Sequence, residues 1–293
     1  MPFALYGFHR YFVTGRRRAL AGGAVALTLQ NLSSGYFLLF FAPFTAAFIA
    51  WEIATRSRWR SRRAWIDLVV AAMFVAAATV PFLVPYKVVR DSLQLSRDLN
   101  EIVRYSADVY SYLTAYEGSR VWGSVLRAFP KPEGDLFPGA VPLLLAAAAV
   151  AAWIVASAAA PVASASRVPR WVLATVAAIG ASYAVITVAA VFARRLDADF
   201  GIFTIRATNV TRLLVPPALA AAALVWLSPA TRSRTVQALR RPEAIFLIVL
   251  TCAWWLSLGP SPRVLGRPLE LWSPYRVLYD WVPGFDGMRA PAR

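Results

Sequence analysis

The sequence predicts an all-α protein, a polytopic bundle of about seven transmembrane helices with a partly helical outer loop. Hydrophobic residues make up 59% of the 293 residues and only 16% are charged. A water-soluble chain of this length would need far more polar surface. Apolar runs of membrane-spanning length also recur along the chain, and arginine-rich segments separate them. We therefore expect a single transmembrane domain over residues 1–293.

The spans follow from apolar runs close to the roughly 20 residues that cross a hydrocarbon core of about 30 Å. The stretch from Ala19 to Ile53 is too long for one helix, and the polar turn from Gln30 to Gly35 divides it into a hairpin. The last two runs are somewhat short for a bilayer. The predicted spans are residues 19–33, 35–54, 64–85, 138–157, 171–193, 212–229 and 244–259.

The distribution of charge predicts the orientation. One group of connections holds 15 basic residues and a single acid, while the other is about twice as long and holds 16 basic residues and 12 acids. The positive-inside rule places the first group in the cytoplasm. The N-terminus is then cytoplasmic, and the outer loop 86–137 and the outer tail 260–293 lie outside. The cytoplasmic group comprises residues 1–18, 55–63, 158–170 and 230–243.

The composition also excludes several classes of function. The net charge of +16 does not indicate nucleic-acid binding, because the basic residues lie between the spans and form no single patch. The single cysteine, Cys252, excludes a disulfide within the chain and a cysteine-based metal site. The single histidine, His9, is expected at headgroup level. We expect no metal and no cofactor.

Carboxylates are few in the spans and more frequent in the outer loop. Glu52 and Asp67 lie at the cytoplasmic ends of their spans, where they can reach water or neighbouring arginines. Residues 88–103 place their apolar side chains along one helical stripe, which predicts an amphipathic helix in the outer loop. The outer carboxylates are expected on a solvated helix face rather than in a catalytic or metal site. They are Asp91, Asp98, Glu101 and Asp108.

The outer segments also carry the candidate binding residues. Arginine can bind the phosphate of a lipid bidentately, or can anchor the chain among headgroups. Tyrosine rings can stack on a sugar, or can line the membrane interface. Composition leaves both alternatives open. The lipid-phosphate candidates are Arg276, Arg289 and Arg293, and the sugar or interface candidates are Tyr105, Tyr112 and Tyr275.

Several short motifs, taken together, indicate a family resemblance. In these motifs the chain resembles bacterial integral membrane proteins of the GT-C glycosyltransferase superfamily, in the group that includes YfhO-like and RgtA/B/C/D-like proteins. The motifs are Gln30-Asn-Leu-Ser-Ser-Gly-Tyr36, Arg104-Tyr-Ser-Ala-Asp108, Leu136-Phe-Pro-Gly139, Pro274-Tyr-Arg-Val-Leu278, Val282-Pro-Gly-Phe285 and Arg289-Ala-Pro-Ala-Arg293.

The resemblance implies an enzyme of the bacterial cytoplasmic membrane that transfers a sugar from a polyprenyl-phosphate carrier on the outer face. Its partners would be membrane lipids and the polyprenyl-phosphate-linked sugar. In the family an acid in the first outer loop activates the acceptor, and basic residues hold the carrier phosphate. The first outer turn here, Gln30 to Gly35, contains no acid, so no catalytic residue is carried over. Family members also have spans before and after this stretch, so we expect a middle portion of a longer protein.

Two other classes of function stay open at this point. A transporter or flippase of lipid-linked glycans would need polar residues buried in the middle of spans, and these spans show almost none. A non-catalytic assembly subunit of the membrane is the other alternative.

Overall fold

The computed structural model of the chain describes residues 1–93, 97–159, 168–192, 197–199, 204–206, 209–282 and 284–292. The chain divides into two compact units, Met1–Ser96 and Arg97–Arg293.

The described residues of the first unit form four α-helices. Gly15 ends the first of them in the left-handed conformation, with φ of 70°, and its N–H donates to the carbonyl of Tyr11. This left-handed cap is favoured at glycine because it has no Cβ. The helices are α1 (Pro2–Thr14), α2 (Arg17–Ser33), α3 (Gly35–Thr55) and α4 (Arg62–Leu93), with a 3₁₀ turn at Arg58–Arg60.

Helices α1 and α2 form a closely packed hairpin. A Cβ built on Gly7 would lie 2.6 Å from the Cα of Gly23, so only hydrogen side chains permit this approach of the two backbones. Small residues allow the same close packing between transmembrane helices in general.

The described part of the second unit contains the remaining helices and four short strands. Its long helices are joined by hydrogen bonds between distant residues: Thr187 donates to the carbonyl of Leu213 at 3.1 Å, and Trp153 donates to the carbonyl of Ala238 at 3.2 Å. The helices are α5 (Leu99–Tyr105), α6 (Ala140–Ala158), α7 (Arg170–Phe192), α8 (Val210–Leu213), α9 (Val215–Leu227), α10 (Pro229–Leu239), α11 (Pro242–Ser257) and α12 (Tyr275–Trp281), with 3₁₀ turns at Val109–Leu113 and Phe285–Gly287.

Five helical stretches of the described residues are long and apolar enough to cross a membrane. At most 17% of the most apolar window of any of them is buried inside the structure, so their apolar side chains are largely exposed, as lipid-facing surfaces are. This confirms the prediction of a mainly helical protein with several helices of membrane-spanning length. These stretches are Gly35–Thr55, Arg62–Arg90, Ala140–Ala158, Arg170–Phe192 and Val210–Leu227.

The other two predicted spans form shorter helices. The prediction for residues 19–33 corresponds to α2, with 17 residues, and that for residues 244–259 corresponds to the apolar helix α11, with 16 residues. The lengths of the helices therefore do not establish the predicted number of seven membrane spans.

The prediction of one continuous amphipathic helix over residues 88–103 is wrong. Residues 88–93 belong to α4, which continues past its predicted end at residue 85 although it contains Pro81 and Pro85. A new helix, α5, begins after Asp98. Asp98 has an extended backbone, and its carboxylate accepts a hydrogen bond from the N–H of Asn100, so it acts as an N-cap.

Two small antiparallel hairpins are present that the sequence did not predict. One pairs β1 (Asp197–Asp199) with β2 (Thr204–Arg206), and Asp197 lies opposite Arg206. The other pairs β3 (Arg263–Val264) with β4 (Arg267–Pro268). Its two turn residues, Leu265 and Gly266, have φ values of 49° and 78°. Two successive positive φ values are typical of the type I′ turn, which matches the twist of a hairpin.

Candidate functional site

The described candidate binding residues of the second unit lie on or just after short elements outside its membrane-length helices. These elements are α5, the two 3₁₀ turns and α12. A buried apolar cluster joins the first 3₁₀ turn and the β3–β4 hairpin to the ends of α7, α8 and α11. The first 3₁₀ turn, which carries Tyr112, is thereby packed against the ends of these helices. The cluster consists of Ala107, Val109, Ala190, Val191, Val210, Leu258 and Val264.

Arg289 and Tyr105, two residues singled out from the sequence, are in direct contact. The guanidinium carbon of Arg289 lies 3.9 Å from the centroid of the Tyr105 ring. This distance is well inside the range of a cation–π interaction. Arg289, a candidate for binding a lipid phosphate, and Tyr105, a candidate for contact with a sugar or the membrane interface, therefore lie side by side.

Two carboxylates also approach Arg289. Its Nε lies 3.6 Å from Oε1 of Glu133 and 3.9 Å from Oε1 of Glu101. Both distances exceed a hydrogen bond, and the buried Nε has no hydrogen-bond partner among the described residues. Glu101 is held more tightly by Arg97, whose Nη1 lies 2.8 Å from the same oxygen. Arg289 is thus oriented by a ring and by two loose ion pairs, while its side chain remains 43% exposed.

Tyr275 is not placed where a ligand can reach it. Its side chain is buried, its hydroxyl donates to the carbonyl of Phe285 at 3.1 Å, and its ring makes an edge-to-face contact with the Phe285 ring. Burial raises the pKa of its phenol well above the usual value. The interpretation of Tyr275 as a sugar or interface aromatic is therefore corrected. It is a core residue that fixes the 3₁₀ turn after α12.

The other described candidates, Tyr112 and Arg276, have different surroundings. Tyr112 is half-buried, and its hydroxyl lies 2.6 Å from Oγ of Ser257. Burial raises the pKa of Tyr112, and the bond to Ser257 opposes that effect. Arg276 is exposed on α12. Arg293 lies outside the described residues.

Asp108 is the residue whose role the sequence did not reveal. It is only 1% exposed, although it was expected on a solvated helix face. Its carboxylate accepts hydrogen bonds from the N–H groups of Tyr110, Leu265 and Gly266, at 3.0, 2.9 and 2.8 Å. The Asp-x-x-Ser spacing to Ser111 forms a capping box and is the one local signal that could have indicated this role.

Lys131 lies close to Asp108 and is half-buried. Its Nζ donates to the carbonyl of Ser106. Burial lowers the pKa of Lys131, and the charge of Arg263 lowers it further, whereas Asp108 raises it. Two basic side chains and one carboxylate therefore share this partly desolvated region beneath the hairpin.

The first unit contains a second polar cluster, around two buried carboxylates. Glu52, near the end of α3, lies 2.5 Å from Nδ1 of His9 and also pairs with Arg56. His9 is thus tied to α3, and its placement at headgroup level stays a prediction. The contact between His9 and Glu52 joins α1 to α3. Arg56 pairs with the second oxygen of Glu52, so both oxygens of this buried carboxylate have a partner.

Asp67, in the second turn of α4, holds α1 and α2 in the same way. It accepts a hydrogen bond from the hydroxyl of Tyr11 at 2.9 Å, and its other oxygen lies 2.8 Å from Nη2 of Arg17. Glu52 and Asp67 are buried and paired, and unpairing either would leave a desolvated charge. We assign them a structural role.

No protein-family model, curated protein or solved structure matches the chain. Within the described ranges, no group of three or more His, Cys, Asp or Glu side chains could hold a metal ion.

Proposed function

We propose that the chain is part of a membrane glycosyltransferase-like protein of the GT-C type, which transfers a sugar from a polyprenyl-phosphate carrier on the outer face of the bacterial cytoplasmic membrane. The proposal rests on the resemblance of the sequence motifs and on one observation. The guanidinium of Arg289 lies over the ring of Tyr105, so a phosphate-binding group is held against an aromatic ring.

The contacts of Arg289 suit the binding of a phosphate. A guanidinium binds a phosphate through two parallel N–H···O bonds when its plane is held in one orientation. The Tyr105 ring supplies this orientation. The carboxylates of Glu101 and Glu133 are 3.9 and 3.6 Å from Nε, which leaves the terminal nitrogens of the partly exposed side chain for a ligand. A sugar attached to that phosphate would lie beside the aromatic ring.

The proposed topology has seven spans with the N-terminus in the cytoplasm. It adds α2 and α11 to the five longer helical stretches and follows from the charge of the connections. Cysteines introduced at Arg60 and Asp98, in a Cys252→Ala background, would test it in intact cells with a membrane-impermeant thiol reagent. We expect labelling at position 98 only. Labelling at position 60 from outside would overturn the orientation.

Binding of undecaprenyl phosphate to the purified protein in detergent, counted by native mass spectrometry, would test the proposed function. We expect Arg289→Gln to weaken binding by about tenfold or more, since one charge-assisted contact is worth ~1.5–3 kcal/mol. Arg120→Gln is the matched control, because Arg120 is another exposed arginine of the outer loop. Equal binding by the wild type and Arg289→Gln would refute the phosphate role.

A transfer assay in membranes that contain the full-length protein would separate the classes of function. Loss of sugar transfer from the lipid carrier in Arg289→Gln, with transfer retained in Arg120→Gln, would support the enzyme. Retained carrier binding with no transfer by the wild type would favour a flippase instead.

A further inference from the structure

A small cavity lies in the first unit, where the end of α1 meets the connection between α3 and α4. Its volume is about 80 Å³, enough for several water-sized groups. The polar part of its lining comes from Tyr11, Arg58, Ser61 and Arg63. The cavity is separate from the Arg289 cluster and has no part in the function proposed above.

The charge around this cavity is strongly positive. Residues 1–67 contain nine arginines, no lysine and two acids, Glu52 and Asp67. Both acids are buried: Arg56 pairs with Glu52, and Arg17 pairs with Asp67 at a shorter distance than Arg63 does. Arg63 shares Asp67 with Arg17, and no ion pair to a described side chain involves Arg58, so the lining keeps a net positive charge that favours an anion.

The individual donors of the cavity are open to a ligand. Arg58 forms no ion pair with any described side chain of the unit, and Arg63 reaches Asp67 only at 3.9 Å, with 70% of its side chain exposed. Ser61 accepts a hydrogen bond from the N–H of Ala64 through its Oγ, so its own hydroxyl hydrogen can be donated. Two guanidinium groups and one hydroxyl are a suitable donor set for phosphate oxygens.

The location of the cavity indicates that the phosphate belongs to a lipid. The cavity lies at the ends of two membrane-length helices, α3 and α4, and hence at the level of a membrane surface. Trp59 and Trp65 are 54% and 48% exposed at the same end. Tryptophan is enriched at this depth, because its ring prefers the interface between hydrocarbon and water. Arg60 lies 4.3 Å from the Trp59 ring and adds another cation at that level.

We propose that this cavity binds the phosphate of an anionic phospholipid headgroup, through Arg58, Arg63 and the hydroxyl of Ser61. A bound headgroup would hold α1 against the connection between α3 and α4. Free phosphate offers the same oxygens but has no acyl chains to lie against the exposed apolar surface of α3 and α4. The lipid is therefore the source that we infer.

The experiment compares the purified chain in nanodiscs of phosphatidylcholine alone and with added phosphatidylglycerol. Native mass spectrometry counts the lipids that stay bound. We expect saturable retention of phosphatidylglycerol and a loss of affinity of about tenfold or more in Arg58→Gln/Ser61→Ala. This variant leaves Arg17, Arg63 and Asp67 unchanged. Arg232→Gln is the matched control, because Arg232 is an exposed arginine on α10 and outside the cavity.

The possible outcomes separate the two sources of phosphate. Retention that is lost in Arg58→Gln/Ser61→Ala and kept in Arg232→Gln would support the lipid site. Equal retention in the wild type and the cavity variant would overturn the proposal. Inorganic phosphate is added to lipid-free protein in detergent as the second arm. If it bound with the same dependence on Arg58 and phosphatidylglycerol did not bind, free phosphate would be the ligand and the lipid assignment would be wrong.

Discussion

Asp108 accepts a hydrogen bond from the backbone N–H of Gly266 at 2.8 Å, although 158 positions separate the two residues. Its other carboxylate oxygen accepts from the N–H of Leu265 at 2.9 Å. Both turn residues have positive φ, and successive N–H groups in such a turn form a concave surface that favours an anion. One buried carboxylate thereby joins the segment after α5 to the β3–β4 hairpin.

We predict that Asp108→Asn destabilises the second unit. An amide has one acceptor oxygen, and its NH₂ group would face the N–H of Leu265 or Gly266. A buried donor left without a partner costs about 1–3 kcal/mol, so we expect the free energy of unfolding to fall by about 2 kcal/mol or more. Thermal unfolding of the purified protein in detergent measures this change.

Asp98→Asn is the control for this prediction. Asp98 also accepts a backbone hydrogen bond as an N-cap, but it is exposed. Asparagine caps a helix about as well as aspartate does, so the control should unfold like the wild type. Equal effects of the two substitutions would contradict the anchoring role of Asp108.

The sequence predicted the long helices well, because their signal is local. An apolar run of sufficient length has to satisfy its backbone hydrogen bonds within itself in a membrane, and a helix is the simplest way to do so. The helix boundaries were less accurate. The continuation of α4 past Pro85 and the start of α5 after Asp98 depend on capping and on tertiary packing, which a hydropathy pattern does not record.

The candidate site was predicted only in part, because it is built from contacts between distant segments. Composition singled out Arg289 and Tyr105 separately, and the fold brings them together. The same reasoning selected Tyr275, whose ring is buried. It placed Asp108 on a solvated face, because nothing local shows that a hairpin turn 158 residues away supplies its hydrogen-bond donors.

The hairpin of α1 and α2 provides a second prediction. Gly7→Ala would place a Cβ 2.6 Å from the Cα of Gly23, a distance that the two backbones can relieve only by moving apart. We expect a loss of about 1–3 kcal/mol, as in other overpacked contacts, and earlier proteolysis of the N-terminal helix.

Gly22→Ala is the matched control, since a Cβ on Gly22 meets no atom within 4 Å. Alanine is a better helix former than glycine by about 1 kcal/mol. The control should therefore be as stable as the wild type or more stable. A stable Gly7→Ala protein would show that the two helices do not pack this closely.

The phenol of Tyr11 leads to a prediction about alkaline pH. Burial, followed by the hydrogen bond to Asp67 and the charge of that carboxylate, raises its pKa from 10.0 to about 12. Since the pKa is higher in the folded state, the resulting stabilisation is fully present below pH 10 and is lost as the pH rises towards 12. The melting temperature of the wild type should therefore fall over this window.

Tyr11→Phe removes the titrating group and the bond to Asp67. The variant should melt at a lower temperature near pH 8, and its melting temperature should then fall less steeply between pH 10 and 12. Parallel curves for the variant and the wild type would show that the phenol of Tyr11 does not contribute to the alkaline transition.

The contact between Arg289 and Tyr105 gives the last prediction, because the aromatic face and the hydroxyl of Tyr105 can be separated by substitution. Tyr105→Phe keeps the ring beneath the guanidinium, and Tyr105→Leu removes it. A cation–π contact at a partly exposed site is worth about 0.5–1 kcal/mol. We therefore expect Tyr105→Leu to weaken binding of undecaprenyl phosphate about two- to fivefold, and Tyr105→Phe to bind like the wild type. If Tyr105→Phe bound as weakly as Tyr105→Leu, the hydroxyl and not the stacked ring would be responsible, and Arg289 would not depend on the ring for its orientation.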